Sequence, residues 1–334
     1  MALLEARGLT VDIPVPAGTL HAVQGLDLTV APGETLAIVG ESGCGKSLTS
    51  LALMGLLPAR AKRSARRLTF AGEDLTALSE RQMSRLRGNR MAMIFQEPMT
   101  SLNPAYTIGE QLAEPYRKHK GASNAAARER AVELLAKVGI PAAGERLGQY
   151  PHQLSGGLRQ RVMIAMALMC DPDLLIADEP TTALDVTIQA QILHLLADLK
   201  REFGAGLILI THDLGVVARV ADRVAVMYAG QIVETGTAQD VFAAPAHPYT
   251  RGLLDCIPIP GRTARGARLG SIPGIVPSLV GAFDGCHFAG RCPHTMPICT
   301  TGEVAQREAG DAHRYRCVLT PDGTALAEPE ARAA

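Results

Sequence analysis

The sequence has no tryptophan and little aromatic character of any kind, since Phe, Tyr and Trp together make up 4% of its 334 residues. It also has no surplus of charge, because 33 Lys and Arg balance 33 Asp and Glu. A nucleic-acid binder usually carries a basic surplus, so this balance argues against nucleic acid as a partner. Hydrophobic residues make up 47%, enough for a sizeable core in one large domain or in a domain with an appendage.

Long apolar runs are missing as well. The longest uninterrupted run, Val162 to Cys170, has nine residues, whereas a membrane-spanning helix needs about 20. The first residues, MALLEARGLTVDI, have neither the basic start nor the apolar stretch of a secretory signal. We therefore expect a cytoplasmic protein that reaches a membrane only by docking on other subunits.

Four short apolar runs have the length of buried strands, and each ends in a polar or glycine-rich turn. Helix-length segments separate these runs, which indicates an α/β fold with a parallel sheet covered by helices. Ligands of such sheets bind beyond the carboxyl ends of the strands. The sequence therefore predicts one site built from the residues that follow the four runs, namely Gly40, Gln96, Asp178 with Glu179, and His212.

The turn after the first run fits the pattern G-x-x-x-x-G-K-[ST] and is followed by an apolar helix. Such a loop surrounds phosphate oxygens with backbone N–H groups at a helix N-terminus. Lys46 is predicted to contact the β- and γ-phosphates, and Ser47 is predicted to bind Mg²⁺. Cys44 is either a small space-filling residue or a thiol activated by Lys46 and the helix N-terminus. The predicted nucleotide-binding loop comprises Gly40, Glu41, Ser42, Gly43, Cys44, Gly45, Lys46 and Ser47.

The acidic pair Asp178 and Glu179 closes an apolar strand and supplies the remaining chemistry. Asp178 is predicted to hold Mg²⁺, and Glu179 to polarise the attacking water. Gln96 is predicted to contact the metal or that water, and His212 to sense the γ-phosphate. The sequence therefore predicts a protein that binds and hydrolyses Mg·ATP.

A second anion-binding turn, from Leu154 to Leu158, precedes another apolar helix. With this turn, the motifs resemble those of the ATP-binding-cassette (ABC) ATPases in the correct order over about residues 1–250. The resemblance implies a P-loop NTPase fold with a helical subdomain at about residues 97–170. It also implies a head-to-tail dimer, in which the signature residues of one subunit close over ATP held by the other; these residues are Ser155, Gly156 and Gly157.

The same resemblance implies further roles. Asp185 belongs to the D-loop, and the segment from Met99 to Glu114 is expected to touch a membrane partner. Family members stack an N-terminal aromatic residue on adenine, whereas this sequence has Ile13 at that position. An isoleucine can pack on a purine face without ring stacking. His21 is a weaker candidate for the same role.

The last quarter of the chain is rich in proline and glycine and contains an array with the spacing C-x₅-C-x₆-C-x₁₇-C. Structural zinc sites typically use C-x₂₋₄-C pairs, which this array lacks. Iron–sulfur clusters accept wider and uneven spacings. The spacing therefore leaves an iron–sulfur cluster, zinc or no metal as alternatives for Cys286, Cys292, Cys299 and Cys317.

This quarter also resembles the C-terminal extension of the dipeptide/oligopeptide permease ATPases, through HPYT, IPG…VPSL and GCHFAGRCPHTMPIC. The resemblance implies an ABC ATPase domain at 1–250, an extension at 251–334, and a [4Fe–4S] cluster on the four cysteines, with zinc as runner-up. It implies a peptide importer at the cytoplasmic face of the inner membrane. Its partners would be two transmembrane permease subunits, a second homologous ATPase and, indirectly, an extracytoplasmic peptide-binding protein. The alternative is a soluble ABC ATPase of translation, DNA repair or iron–sulfur assembly.

Overall fold

The computed structural model of this chain describes residues 2–181, 186–257, 270–281, 283–321 and 323–324. Its strands are β1 Leu4–Val15, β2 Gly18–Val30, β3 Thr35–Val39, β4 Lys62–Ser64, β5 Arg67–Phe70, β6 Glu73–Asp74, β7 Met91–Ile94, β8 Leu174–Asp178, β9 Gly206–Ile210, β10 Arg223–Tyr228, β11 Gln231–Thr237, β12 Arg307–Gly310 and β13 His313–Tyr315. Its helices are α1 Lys46–Met54, α2 Glu80–Leu86, α3 Pro98–Ser101, α4 Ile108–Lys120, α5 Asn124–Lys137, α6 Ala143–Arg146, α7 Gly156–Leu168, α8 Val186–Phe203, α9 Leu214–Val220, α10 Ala238–Ala243 and α11 Pro248–Asp255.

The larger sheet has the order β12-β13-β11-β10-β3-β9-β8-β7. The five strands from β10 to β7 run parallel, and every residue of β3, β8 and β9 is buried. Burial on both faces explains why these strands are continuous apolar runs. Because the predicted strands run parallel, their carboxyl ends lie at one edge of the sheet, as expected from the sequence.

A smaller antiparallel sheet of order β2-β1-β5-β6, with β4 also paired to β1, packs beside α1. Its inward-facing residues share one hydrophobic core with α1 and with parts of the large sheet; examples are Leu9, Leu53 and Phe70. This core holds the turn between β3 and α1 against β2, and so it positions the predicted phosphate loop.

Helices α3 to α7 form the helical subdomain that was expected at about residues 97–170. They surround a second core with Leu112, Leu135 and Ile164 fully buried. Thr107 and Glu110 form a capping box that fixes the start of α4. Across the described ranges of the chain, we find no helix long and apolar enough to span a membrane.

The C-terminal extension joins the large sheet at its edge. β13 pairs with β11 in antiparallel fashion, with Glu234 opposite Tyr315. Tyr228, Tyr249 and Phe288 bring rings from the core and the extension into edge and tilted contacts with centroids 4.6–5.3 Å apart. The predicted boundary near residue 250 therefore separates two parts of the chain that share one sheet and one aromatic cluster.

Candidate active site

The turn between β3 and α1 has a backbone that only glycine accommodates at two positions. A Cβ atom on Gly40 would lie 2.1 Å from the Met227 carbonyl oxygen, and one on Gly45 would lie 2.4 Å from the Ala22 carbonyl oxygen. Gly45 also has φ 104° and caps the N-terminus of α1. A loop that is this tightly held, ahead of a helix N-terminus, is suited to surround phosphate oxygens.

Lys46 lies under this loop, with 4% of the residue exposed. Its Nζ donates to the carbonyl oxygens of Gly40 at 2.7 Å and Glu41 at 2.9 Å. The same ammonium lies 3.9 Å from Glu179 Oε1. The structure therefore brings the predicted phosphate-binding lysine next to the predicted water-polarising acid.

Ser47 and Asp178, two of the predicted magnesium ligands, are in direct contact. Ser47 Oγ donates to Asp178 Oδ1 at 3.1 Å, although the two residues are 131 positions apart. Burial raises the pKa of Asp178, which ends β8 in the core. A hydroxyl and a carboxylate oxygen are donors that Mg²⁺ prefers, so this pair fits that ion by type.

Glu179 follows directly and adopts φ 43°, a positive value that is costly for a residue other than glycine. Its N–H donates to the Ile210 carbonyl oxygen at 2.9 Å. Gln96 Nε2 donates to Glu179 Oε2 at 3.3 Å, and His212 Nδ1 lies 3.6 Å from the same oxygen. Three residues that were predicted from separate strand ends thus meet at one carboxylate.

Lys46, Gln96 and Glu179 line a cavity of about 790 Å³ together with residues that the sequence did not single out, whereas His212 and Asp178 are not among its lining residues. Leu20 and Ala22 of β2 lie on one side, beside His21, the weaker sequence candidate. The C-terminal extension contributes Ile272, Gly274 to Leu279, and Arg291. In the sequence, the IPG…VPSL stretch marks these extension residues. It carries no phosphate-binding or catalytic pattern that would have placed them at the cavity.

Ile13, predicted to pack on the base, lies on β1 opposite Leu20 and packs against the core. Its neighbours Leu20 and His21 line the cavity instead. His21 is held by Asp12, whose Oδ1 lies 2.7 Å from His21 Nδ1. The role of Ile13 stays a prediction, and the structure shows that residues of β2 line the cavity.

Cys44 of the phosphate loop is 1% exposed, and burial raises the pKa of its thiol. A raised pKa lowers the fraction of reactive thiolate. Of the two alternatives for Cys44, the structure therefore favours the space-filling residue over the activated thiol.

Residues 23–182 match the ABC transporter family, and residues 233–299 match the oligopeptide/dipeptide transporter C-terminal region. The chain is 52% identical to the dipeptide transport ATP-binding protein DppD of Bacillus subtilis over 318 residues, which cover 95% of this chain and 94% of that protein. It is 54% identical to the oligopeptide transport ATP-binding protein OppD of Salmonella typhimurium over 319 residues, 96% of this chain and 94% of that protein. The chain belongs to this family of ABC transporter ATP-binding subunits.

This ABC ATPase also resembles solved cassettes. A dimeric structure of the ATP-binding cassette MJ0796, in a post-hydrolysis state with ADP and Pi, matches with a TM-score of 0.64 and 27% identity. The match covers 70% of this chain and 98% of that one. The predicted ABC-type nucleotide-binding fold is thereby confirmed.

The signature turn of this ABC ATPase lies apart from its own nucleotide cavity. Ser155 caps α7 by accepting the Leu158 N–H at 3.4 Å, and both Ser155 and Gly156 are exposed. An exposed helix N-terminus can receive a phosphate from outside the chain. The D-loop residue Asp185 lies outside the described residues.

The four cysteines of the extension line one small cavity of about 10 Å³. Within the described residues, no three or more Cys, His, Asp or Glu side chains are placed to hold a metal ion. Burial raises the pKa of Cys286 to about 11. The structure thus brings Cys286, Cys292, Cys299 and Cys317 to one cavity, but it does not support the expected iron–sulfur cluster.

Proposed function

We propose that this chain is the ATP-hydrolysing subunit of a membrane importer for dipeptides or oligopeptides. The observation that carries the proposal is the meeting of Gln96, Glu179 and His212 beside a complete phosphate loop. The substrate class is inferred from relatives named for dipeptide and oligopeptide transport that are more than half identical over nearly the whole chain. These relatives favour transport over the soluble ABC ATPase alternative.

The residues of the site support the following division of roles. The loop N–H groups and Lys46 hold the phosphates, and Ser47 with Asp178 hold Mg²⁺. When bound with ATP, Mg²⁺ would offset the charge on the β- and γ-phosphates. Glu179 accepts a proton from the attacking water as the water oxygen bonds to the γ-phosphorus and the bond to the β–γ bridging oxygen breaks, which yields ADP and phosphate.

Glu179→Gln tests this role because glutamine keeps the shape of the side chain and cannot take the proton. We expect ATP binding to persist while phosphate release from the intact transporter falls by about 100-fold or more. Asp213→Asn is the matched control, since asparagine can still cap α9 by accepting the Val216 N–H. Unchanged phosphate release by Glu179→Gln would show that this carboxylate is not the base.

We propose that two ATPase subunits pair head to tail and complete each other's sites. The exposed signature turn supports this arrangement, because Ser155 and Gly156 are available to another chain's nucleotide. Asp185 would lie in the same interface. The family favours a second, homologous ATPase as the partner. When this chain is purified from membranes, the second ATPase and two multi-spanning subunits should be recovered with it. Recovery of this chain alone would contradict the assembly.

We propose that the segment from Met99 to Glu114 docks on the permease at the cytoplasmic face of the membrane. Tyr106 supports this role, because 54% of it is exposed and tyrosine is enriched at protein–protein interfaces. The peptide itself would reach the permease from an extracytoplasmic binding protein. Tyr106→Ala should reduce the permease subunits that co-purify, and Phe283→Ala, which removes an exposed ring from the extension, should not.

We propose that residues 1–250 act as the ATPase domain and residues 251–334 as an extension that a [4Fe–4S] cluster cross-links, with zinc as the runner-up. The chemistry of the donors supports the proposal, because cysteine thiolates are the ligands of such clusters and four cysteines line one cavity. A cluster binds each thiolate to a different iron, so its ligands need not converge on one ion. The cavity as it stands is too small for the cluster, so the four segments would have to separate to hold it.

Elemental analysis of the purified chain tests this proposal. We expect about four iron and four sulfide per chain, with iron lost in Cys292→Ser and kept in Cys256→Ser, a half-buried cysteine outside the set. Stoichiometric zinc without iron would favour the runner-up. Neither metal in chain purified without oxygen would refute a metal site.

A further inference from the structure

One side of the nucleotide cavity is lined by the C-terminal extension. Residues 272–279, which we call the extension wall, line it together with the phosphate loop, and Pro273 alone of these eight does not face the cavity. The end of the wall is bonded to β2, since the Leu279 carbonyl oxygen accepts from the His21 N–H at 2.9 Å and, just beyond the wall, the Gly281 N–H donates to the Thr19 carbonyl oxygen at 2.9 Å. The extension wall therefore stands beside the β2 residues that face the same cavity.

Arg291 connects the extension wall to the phosphate loop. Its Nη1 and Nη2 atoms contact Glu41 Oε2 and Oε1 at 2.5 and 3.1 Å. Its Nε donates to the Pro273 carbonyl oxygen at 2.8 Å, and Nη2 donates to the Ile272 carbonyl oxygen at 3.0 Å. The side chain is 7% exposed. A bidentate ion pair of this kind, largely out of contact with solvent, is directional, so it fixes the position of both side chains.

The charge of this pair matters because Glu41 is the second residue of the phosphate loop. A carboxylate here would repel the triphosphate that the loop has to bind. The guanidinium of Arg291 compensates that charge, and the Tyr249 hydroxyl accepts the backbone N–H of Glu41 at 2.9 Å. Both contacts come from residues more than 200 positions away in the chain.

The extension wall is apolar where the phosphate loop is polar. Ile275 is 87% exposed although it lines the cavity, and Val276 and Pro277 follow it. The triphosphate end of the ligand is held at Lys46, so the nucleoside has to occupy the part of the cavity that lies away from the loop. A purine is the only large apolar surface that ATP offers to such a wall.

We propose that the extension wall binds the nucleoside of ATP and that Arg291 is a positioning residue, which holds the wall and Glu41 in place. This proposal rests on ATP binding by the chain and is independent of peptide import. It assigns the extension a direct part in nucleotide affinity.

The wall is tested by measuring the Kd of the full chain for ATP and for inorganic triphosphate. Ile275→Ser should weaken ATP binding about fivefold, because an apolar contact to the base is lost. Triphosphate binding should stay within about twofold. Ile298→Ser is the matched control, since it is another exposed isoleucine of the extension, 37% exposed and away from the cavity. Unchanged ATP binding by Ile275→Ser, or an equal loss for triphosphate, would overturn the contact with the nucleoside.

The positioning role of Arg291 is tested by a double-mutant cycle. Arg291→Ala should weaken both ATP and triphosphate about tenfold, because Glu41 then faces the phosphates uncompensated. Adding Glu41→Gln should restore triphosphate binding to within about threefold of the original chain. A general loss of structure would not be rescued in this way. If the double variant binds triphosphate as weakly as Arg291→Ala does, the charge compensation is refuted.

Discussion

Glu234 offers the sharpest test of how the extension is held to the ATPase core. This carboxylate is fully buried, with 0% of the residue exposed. It accepts the N–H groups of Ala246 at 2.7 Å and His247 at 2.9 Å, and it accepts from His313 Nε2 at 2.6 Å. One side chain of β11 thus connects the turn before α11 with β13 of the extension.

Glu234→Ala removes the acceptor and leaves three buried donors behind. Each unsatisfied donor costs about 1–3 kcal/mol, so the free energy of unfolding should fall by about 3–6 kcal/mol after partial relaxation. That loss is large against the total stability of about 5–15 kcal/mol that is typical of a folded domain. Glu234→Gln keeps one acceptor oxygen, so the free energy of unfolding of this variant should fall by only about 1–2 kcal/mol.

The measurement is denaturant unfolding followed by circular dichroism, with the midpoint and slope compared between variants. Glu308→Ala is the control, because Glu308 pairs with Arg314 at 3.4 Å on the surface and is 70% exposed at its side chain. An exposed pair contributes below about 1 kcal/mol. If Glu234→Ala is no more destabilising than Glu308→Ala, the argument that this carboxylate holds the extension is wrong.

Three further predictions concern the loop, the pH response and the thiols. Gly45→Ala should weaken ATP binding at least about tenfold, because its Cβ would lie 2.4 Å from a carbonyl oxygen. Gly144→Ala, in the short helix α6 with open space around its Cβ, should leave the Kd unchanged. Burial lowers the pKa of His247 from 6.5 to about 3, so the unfolded chain takes up a proton below pH 6.5 that the folded chain excludes. The free energy of unfolding should therefore fall by about 2 kcal/mol from pH 7 to pH 5. Unfolding midpoints measured over this pH range should show that fall in the original chain and should not show it in His247→Asn. Cys44 should be alkylated more slowly than the half-buried Cys256, and equal rates by mass spectrometry would contradict its burial.

Much of the site was predictable because its motifs are short and contiguous. The phosphate loop needs glycines at fixed offsets from a lysine and a hydroxyl, and the structure gives steric reasons for Gly40 and Gly45. The buried strands were predictable because burial on both faces requires continuous apolar residues. The roles of Ile13 and of the cysteine array were harder to predict, because base packing and metal binding depend on which side chains converge in space.

The sequence by itself determined that this protein holds a phosphate loop, an acid pair and a signature turn, since each is written in neighbouring residues. Only the tertiary structure decided that Arg291 pairs with Glu41 across 250 positions and that the extension lines one side of the nucleotide cavity. The physical reason is that local pattern encodes backbone conformation and burial. The pairing of distant charges and the wall of a cavity arise only when separate segments pack on the same sheet edge.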